Sequence, residues 1–435
     1  MQFVSTEGRA PPVDLRTALF QGLAPDGGLY MPESLVPLRP SEVALLRGGS
    51  LQQTAAVVCQ HLVSDELSPE VVAEVLTDAL DFPIPLVPLE DGLYVLELFH
   101  GPTAAFKDVA ARVMARLMAR LHGQTSGTLT VITATSGDTG GAVAHAFHGV
   151  RGTRVIVLYP QGRISPLQER QFATLGGNVQ AVAVDGTFDD CQRLAKEALA
   201  DAELQVALRI TSANSINIGR LLPQMTYHAH AWAQCPGERR KTIVAVPSGN
   251  FGNLTAGLMA KRIGIPIQHF VAATNVNDAV PEYLRTGAFQ PRSAIPTISS
   301  AMDVGNPSNF ARMLALYGGS HEQLVRDVVG RSFTDAETRE CIGDVHRRSG
   351  YVLDPHSAVG YLALRRELAD HPGAAGVLLA TAHPGKFRET VEPVIDQSIP
   401  LPPTLDACLT REPVSVRIVP SLSAVRALLL GEGLQ

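Results

Sequence analysis

The run from Ile243 to Ala260, IVAVPSGNFGNLTAGLMA, decides the fold. Ile243–Val246 is apolar at every position, as a strand covered on both faces requires. Pro247-Ser248-Gly249-Asn250-Phe251-Gly252-Asn253 is a turn with two glycines, and an apolar helical pattern resumes at Leu254. Strand, glycine turn and helix mouth, in that order, aim backbone N–H groups at one spot where a phosphate fits. No Gly-Lys-Ser/Thr follows the turn and its spacing is not GxGxxG, so neither a Walker A loop nor a dinucleotide fingerprint is present.

The same alternation extends outward in both directions. TLTVITA (128–134), RVIVLYP (154–160), NVQAVAV (178–184), IQHFVAA (267–273) and GVLLATA (376–382) are short Val/Ile/Leu-rich runs. They are separated by amphipathic helical stretches such as SPLQERQFATLG, with Ser165 as N-cap and Pro166 in the first turn. TFDDCQRLAKEALAD and HSAVGYLALRREL are further helices. This is an α/β fold of parallel-type sheets covered by helices. Residues 1–85 form a helical, loop-rich N-terminal extension, and the prolines of DFPIPLVPL predict an extended linker after it.

At 435 residues the chain is long enough for two or three domains. Its 45% hydrophobic and 18% charged content is ordinary for a globular enzyme. A net charge of −6 without basic runs argues against nucleic-acid or anionic-membrane partners. The five cysteines (Cys59, Cys191, Cys235, Cys341, Cys408) are scattered, with no CxxC pair, which predicts reduced thiols and no zinc site. The N-terminus has no signal-peptide pattern and no run reaches membrane-spanning length, so a cytoplasmic location is expected.

In such sheets ligands bind where strands end and helices begin, and three further turns stand there. Lys107 closes HGPTAAFKD (100–108), between the apolar LYVLELF (93–99) and a helical pattern carried by Val109, Val113, Met114 and Leu117. Its ammonium meets the positive end of the helix dipole and little water, and both disfavour its charge. A lone lysine there is more often a surface charge that snorkels outward; the alternative is a partly neutral amine suited to a Schiff base. In VITATSGDTGGAVAHAF (131–147), Thr135-Ser136-Gly137-Asp138-Thr139 is a polar turn before a helix expected from Gly140, an anion cradle or simply an N-cap. In GVLLATAHPGKF (376–387) the strand ends at Thr381. Two anion cradles and a lysine at a helix mouth suit one cofactor, pyridoxal 5′-phosphate (PLP). No histidine–carboxylate cluster is legible, so no metal is expected.

HGPTAAFKD, TSGDTG, PSGNFGN and ATAHPGKF closely resemble, in order and spacing, the threonine synthases of the fold-type II PLP enzymes (the tryptophan synthase β-like fold). So do QGLAPDGGLYMPESL (21–35), NSINIGRLLPQ (214–224) and MDVGNPSNF (302–310), and the likeness spans nearly the whole chain. Gly385 stands where that family commonly has alanine, and Ile218 where a bulky aromatic is usual. The resemblance implies an N-terminal domain over 1–85, a PLP-binding core over 86–400 with a smaller movable subdomain at roughly 107–175, and a C-terminal tail over 401–435. It implies Lys107 as the Schiff-base lysine and proton carrier. Ser248, Gly249, Asn250, Phe251, Gly252 and Asn253 would hold the cofactor phosphate, Thr381 would face the pyridine nitrogen, and Asp138 would lie near the 3′-oxygen. Thr135, Ser136, Gly137 and Thr139 would receive the substrate carboxylate. Ser215, Asn217 and Arg220 are the candidates for the substrate phosphate, with Lys386 and Arg388 as alternatives.

The reaction so implied is conversion of O-phospho-L-homoserine and water to L-threonine and phosphate, the last step of threonine biosynthesis, by γ-elimination and then β-hydration. The partner is this small molecule, and monomer and homodimer are both open. Two rivals share the fold: a phospho-lyase that eliminates phosphate without adding water, and a threonine/serine dehydratase. A non-catalytic PLP-fold binding protein is the rival from another class.

Overall fold

The computed structural model describes residues 1–63, 66–122, 127–237 and 241–431. In chain order its strands are β1 (Phe3–Ser5), β2 (Tyr30–Pro32), β3 (Leu86–Glu90), β4 (Leu93–Glu97), β5 (Leu129–Ala134), β6 (Thr153–Pro160), β7 (Val179–Val184), β8 (Ile210–Ser212), β9 (Thr242–Pro247), β10 (Ile267–Thr274), β11 (Val328–Ser332), β12 (Ala375–Ala380) and β13 (Ser415–Ile418). They form a small β1-β2 pair, a six-stranded sheet in the order β11-β10-β9-β12-β4-β3 and a five-stranded sheet in the order β13-β7-β6-β5-β8. Every pairing in the five-stranded sheet is parallel, and in the six-stranded sheet only β3–β4 is antiparallel. The central strands β5, β9 and β12 are buried at every position, because helices cover both faces. Among the described residues no helix is long and apolar enough to cross a membrane.

Three expectations are corrected by this topology. The proline-rich DFPIPLVPL is extended but is no free linker: Leu86–Glu90 pairs with β4, with Pro88 opposite Tyr94. Proline is tolerated there because β3 is an edge strand whose outer side needs no donor. The smaller subdomain does not stop near residue 175. Its sheet takes β7 and β8 as well, since Gly176 and Gly177 merely turn the chain, both at φ 63°, from the helix Pro166–Ala173 into β7. Nor is the segment after 400 a tail. β13 adds in parallel to β7, and the helix Leu422–Leu430 buries Val425, Leu428 and Leu429 in the core around Leu194 and Ala198. Residues 432–435, also counted in that tail, lie outside the described residues.

The N-terminal helices share one core with the rest of the chain. Phe3, Leu15, Leu19, Val58 and Leu76 pack in the same apolar cluster as Ile218, Met225, Leu254 and Val244. Arg112, Arg116 and Arg120 on the helix Lys107–His122 pair with Asp81, Asp78 and Glu74, tying the N-terminal region to the element that starts with Lys107.

Candidate active site

The C-terminal ends of β9 and β12 and the mouths of the helices that follow β4 and β5 open on one cavity of about 730 Å³. That is the size of a small-molecule site. Lys107 reaches it through a zipped turn. Ala105 bridges to Ala382, the Phe106 N–H donates to the Thr381 carbonyl (2.9 Å) and the His383 N–H to the Ala104 carbonyl (3.0 Å). Ala104 is held at φ 52°, a left-handed conformation a side chain seldom adopts. The Lys107 side chain is 17% exposed, and its Nζ lies 3.9 Å from Asp138 Oδ2. Burial is the chief cause that pulls Lys107 down to about 8; Asp138 opposes the shift, and Lys386 and Arg220 reinforce it. The amine is therefore mostly protonated at pH 7, with a neutral minority of roughly one tenth that grows as pH rises toward 8.

Asp138 starts the helix Asp138–Phe147, two residues before the expected Gly140. Its Oδ1 accepts from Lys386 Nζ at 2.7 Å and from Gln168 Nε2 at 3.0 Å. Burial would raise this carboxyl, but Lys386 and then Lys107 outweigh it and hold the group well below the usual carboxylate range. Lys386 is wholly buried and also donates to the Thr103 carbonyl at 2.8 Å. Both described donations of its ammonium go to protein groups.

The turn 249–253 fits a phosphate on an observation of its own. None of its five successive backbone N–H groups donates a hydrogen bond among the described residues. Their neighbours are satisfied: Ser248 N–H donates to the Ala273 carbonyl (2.9 Å) and Leu254 N–H to Asn253 Oδ1 (3.0 Å). Buried N–H groups seldom stay unpaired, so this row is a cradle for an anion at the mouth of the helix Gly252–Arg262. Phe251 sits at φ 60°, and Asn253 Nδ2 donates to the Pro247 carbonyl (2.8 Å), which fixes the curl. Behind it His228 Nε2 lies 2.8 Å from the Asn253 carbonyl; since a carbonyl only accepts, that nitrogen carries the proton. Together with the Lys107 amine, this cradle fits a phosphorylated aldehyde.

Of the other expected residues, Ser136, Thr139, Ser215, Arg220 and Thr381 line the cavity. The Thr381 hydroxyl takes part in no hydrogen bond among the described residues. Arg220 ends a short 3₁₀ helix, Ile218–Arg220, and is only 4% exposed. Its Nη1 donates to the Ala213 carbonyl (2.6 Å), while its buried Nε has no partner. Four expected contacts instead build the walls. Thr135 Oγ1 accepts from the N–H groups of Gly137 and Gly140, which uses up both the hydroxyl and the Gly137 donor. Asn217 is fully buried and donates to the carbonyls of Leu19 and Ser212. Ser248 Oγ donates to the Val246 carbonyl.

Sequence reading missed Gln168 and Arg312. Gln168 is legible as the third position of the Ser165 capping box, but its amide also reaches Asp138. Arg312 is fully buried and donates to the carbonyls of Tyr30, Ser215 and Ile216, pinning the cavity loop to β2. One histidine–carboxylate grouping with ligand spacing occurs among the described residues, His269, Glu367 and His371, and none of the three lines the cavity.

The geometry defines a class: an α/β enzyme that holds a phosphorylated aldehyde on a lysine. Residues 80–381 match the family described as pyridoxal-phosphate dependent enzyme, 2–80 the threonine synthase N terminus and 357–429 the threonine synthase C-terminal region. The threonine synthase of Haemophilus influenzae is 45% identical over 91% of each chain, and that of Escherichia coli 43% over 96% of each. The Escherichia coli enzyme's crystal structure superposes with a TM-score of 0.92 over the full length of both chains. PLP-bound threonine synthase from Brucella melitensis does so with a TM-score of 0.92 at 35% identity over 99% of each chain. The chain belongs to the threonine synthase family of PLP-dependent enzymes. A fungal L-serine ammonia-lyase, 13% identical with a TM-score of 0.53, covers 71% of the chain and shares the fold alone.

Proposed function

We propose that this enzyme converts O-phospho-L-homoserine and water to L-threonine and inorganic phosphate, with PLP held by Lys107 and the backbone of 249–253. The observation that carries the substrate is Arg220: a buried guanidinium with an unpaired Nε lines the cavity that already has one phosphate cradle. A second buried cation calls for a second anion, and a substrate phosphate supplies it.

PLP, when bound, supplies an aldehyde that joins the substrate amine and a conjugated ring that draws electron density from Cα. Ser136 and Thr139, at the mouth of the helix Asp138–Phe147, receive the substrate carboxylate and turn Cα toward Lys107 Nζ. The Lys107 amine removes the Cα proton and then carries protons at Cβ and Cγ. Arg220 holds the phosphate while the Cγ–O bond breaks, and its charge stabilises the leaving anion. Water then adds at Cβ to give the threonine hydroxyl. The five cysteines are buried and none is in a disulfide among the described residues, which suits a reducing compartment, and we place the enzyme in the cytoplasm.

Incubation with O-phosphohomoserine tests the reading: threonine and phosphate should appear in equal amounts. Phosphate with 2-oxobutyrate instead of threonine would make the protein a phospho-lyase, and turnover of serine or threonine alone a dehydratase. Borohydride reduction of the holoenzyme should fix the cofactor to Lys107; label on no lysine would mean a non-catalytic binding protein.

A further inference from the structure

Lys386 is a cation with no exposed side-chain surface, 2.7 Å from a carboxylate that also lies 3.9 Å from the Schiff-base lysine. A surface ion pair would need no such place, and burying two charges is costly unless their arrangement does something. The two oxygens of Asp138 are divided: Oδ1 takes Lys386 and Gln168, and Oδ2 is left toward Lys107. Resting on the PLP reading above, we propose that Lys386 is a positioning residue, whose buried ammonium engages one oxygen of Asp138 so that only a shared charge reaches the Lys107 amine. Without Lys386 the whole carboxylate charge would fall on Lys107, and one cation that repels its proton would be gone. Both changes make the amine more basic and less nucleophilic at neutral pH.

Other groups around the pair do not supply this effect. Asp108, on the helix that Lys107 starts, spends its carboxylate on the Thr103 N–H (2.8 Å) and hydroxyl (2.6 Å). Arg220 adds to the repulsion on Lys107 but does not engage the Asp138 carboxylate; its Nη1 donates to the Ala213 carbonyl. His145, on the Asp138 helix, and His383, before Lys386, are each pulled to about 4, first by burial, and stay neutral at working pH. The Cys408 thiol is pushed up by burial and is neutral as well.

The test strips the cofactor, adds PLP and follows the rate of Schiff-base formation by absorbance as a function of pH. In K386M the midpoint of that profile should rise by about one pH unit. In the double variant D138N/K386M, which removes both charges, it should return close to the wild-type value. A K386M midpoint equal to wild type would overturn the proposal, since a merely structural lysine changes stability and not this midpoint. Should K386M fail to fold while D138N/K386M folds, the midpoint is compared between D138N and D138N/K386M: it should be lower in D138N, which keeps the Lys386 charge, and equal midpoints would overturn the proposal. If the double variant also fails to fold, the role of Lys386 lies in its bond to Thr103, and the proposal is wrong. Absence of any Schiff base in the wild type would instead sink the cofactor reading.

Discussion

Arg220 gives up little of its charge to the protein around it. Burial pulls it to about 10, with Asp108 opposing, so it remains a cation at neutral pH. R220Q should therefore lower kcat/KM for O-phosphohomoserine by on the order of 10²-fold, the effect of losing a buried charge-assisted contact. PLP content should be unchanged, and competitive inhibition by inorganic phosphate should be lost; steady-state kinetics with added phosphate reads both. For Lys107 the sign follows from a base whose value is depressed to about 8: below that pH the amine is protonated and inert. Schiff-base formation by the cofactor-free chain should accelerate as pH rises through about 8 and then level off. At this scale the sequence was partly legible. Lys107 taken alone reads as a surface charge and stood out only beside the two anion cradles, whereas the contact of Lys386 with Asp138 is invisible until the fold brings the two together. Thr135 and Asn217 read as ligand contacts because hydroxyls and amides serve turns and substrates equally well.

The glycine turn owes its shape to close packing on its outer side. A Cβ on Gly249 would strike the backbone carbonyl of Ala301, which cannot swing away as a side-chain tip would. G249A should push residues 300–302 outward, cost about 1–3 kcal/mol as overpacked substitutions do, and weaken PLP binding; fluorescence titration of the cofactor-free protein measures the second effect. Arg312 acts one layer further out, since its three carbonyl partners hold β2, the Ser215–Ile216 loop and its own helix Phe310–Leu316 together. R312M should cost about 3 kcal/mol, because buried carbonyls lose a charged donor, and raise KM more than it lowers kcat; urea denaturation alongside kinetics separates the two. The strands β5, β9 and β12 were legible as runs apolar on both faces. β3 was not, because proline argues against a strand wherever the edge position is unknown.

Across the whole molecule, the interior holds histidines that it keeps neutral. His228 and His230 are both pulled to about 4 from the ordinary histidine value of 6.5, chiefly by burial. Between those pH values the unfolded chain binds protons that the native chain does not, so stability falls as pH falls through this window. The slope is about 1.4 kcal/mol per pH unit for each such histidine, and urea midpoints measured from pH 7 to 4.5 should show it. The order of domains was harder to read than their chemistry. The segment after residue 400 was expected to be a tail, yet β13 completes a sheet whose other strands lie between residues 129 and 212. That arrangement sets a condition on biosynthesis. While the ribosome is still translating the segment that follows β12, β7 has an open flank with free amide and carbonyl groups, because its neighbour at 415–418 has not yet been made. The nascent enzyme thus spends most of its synthesis with a sticky margin, and a chaperone able to cap an extended strand would find its landing place there.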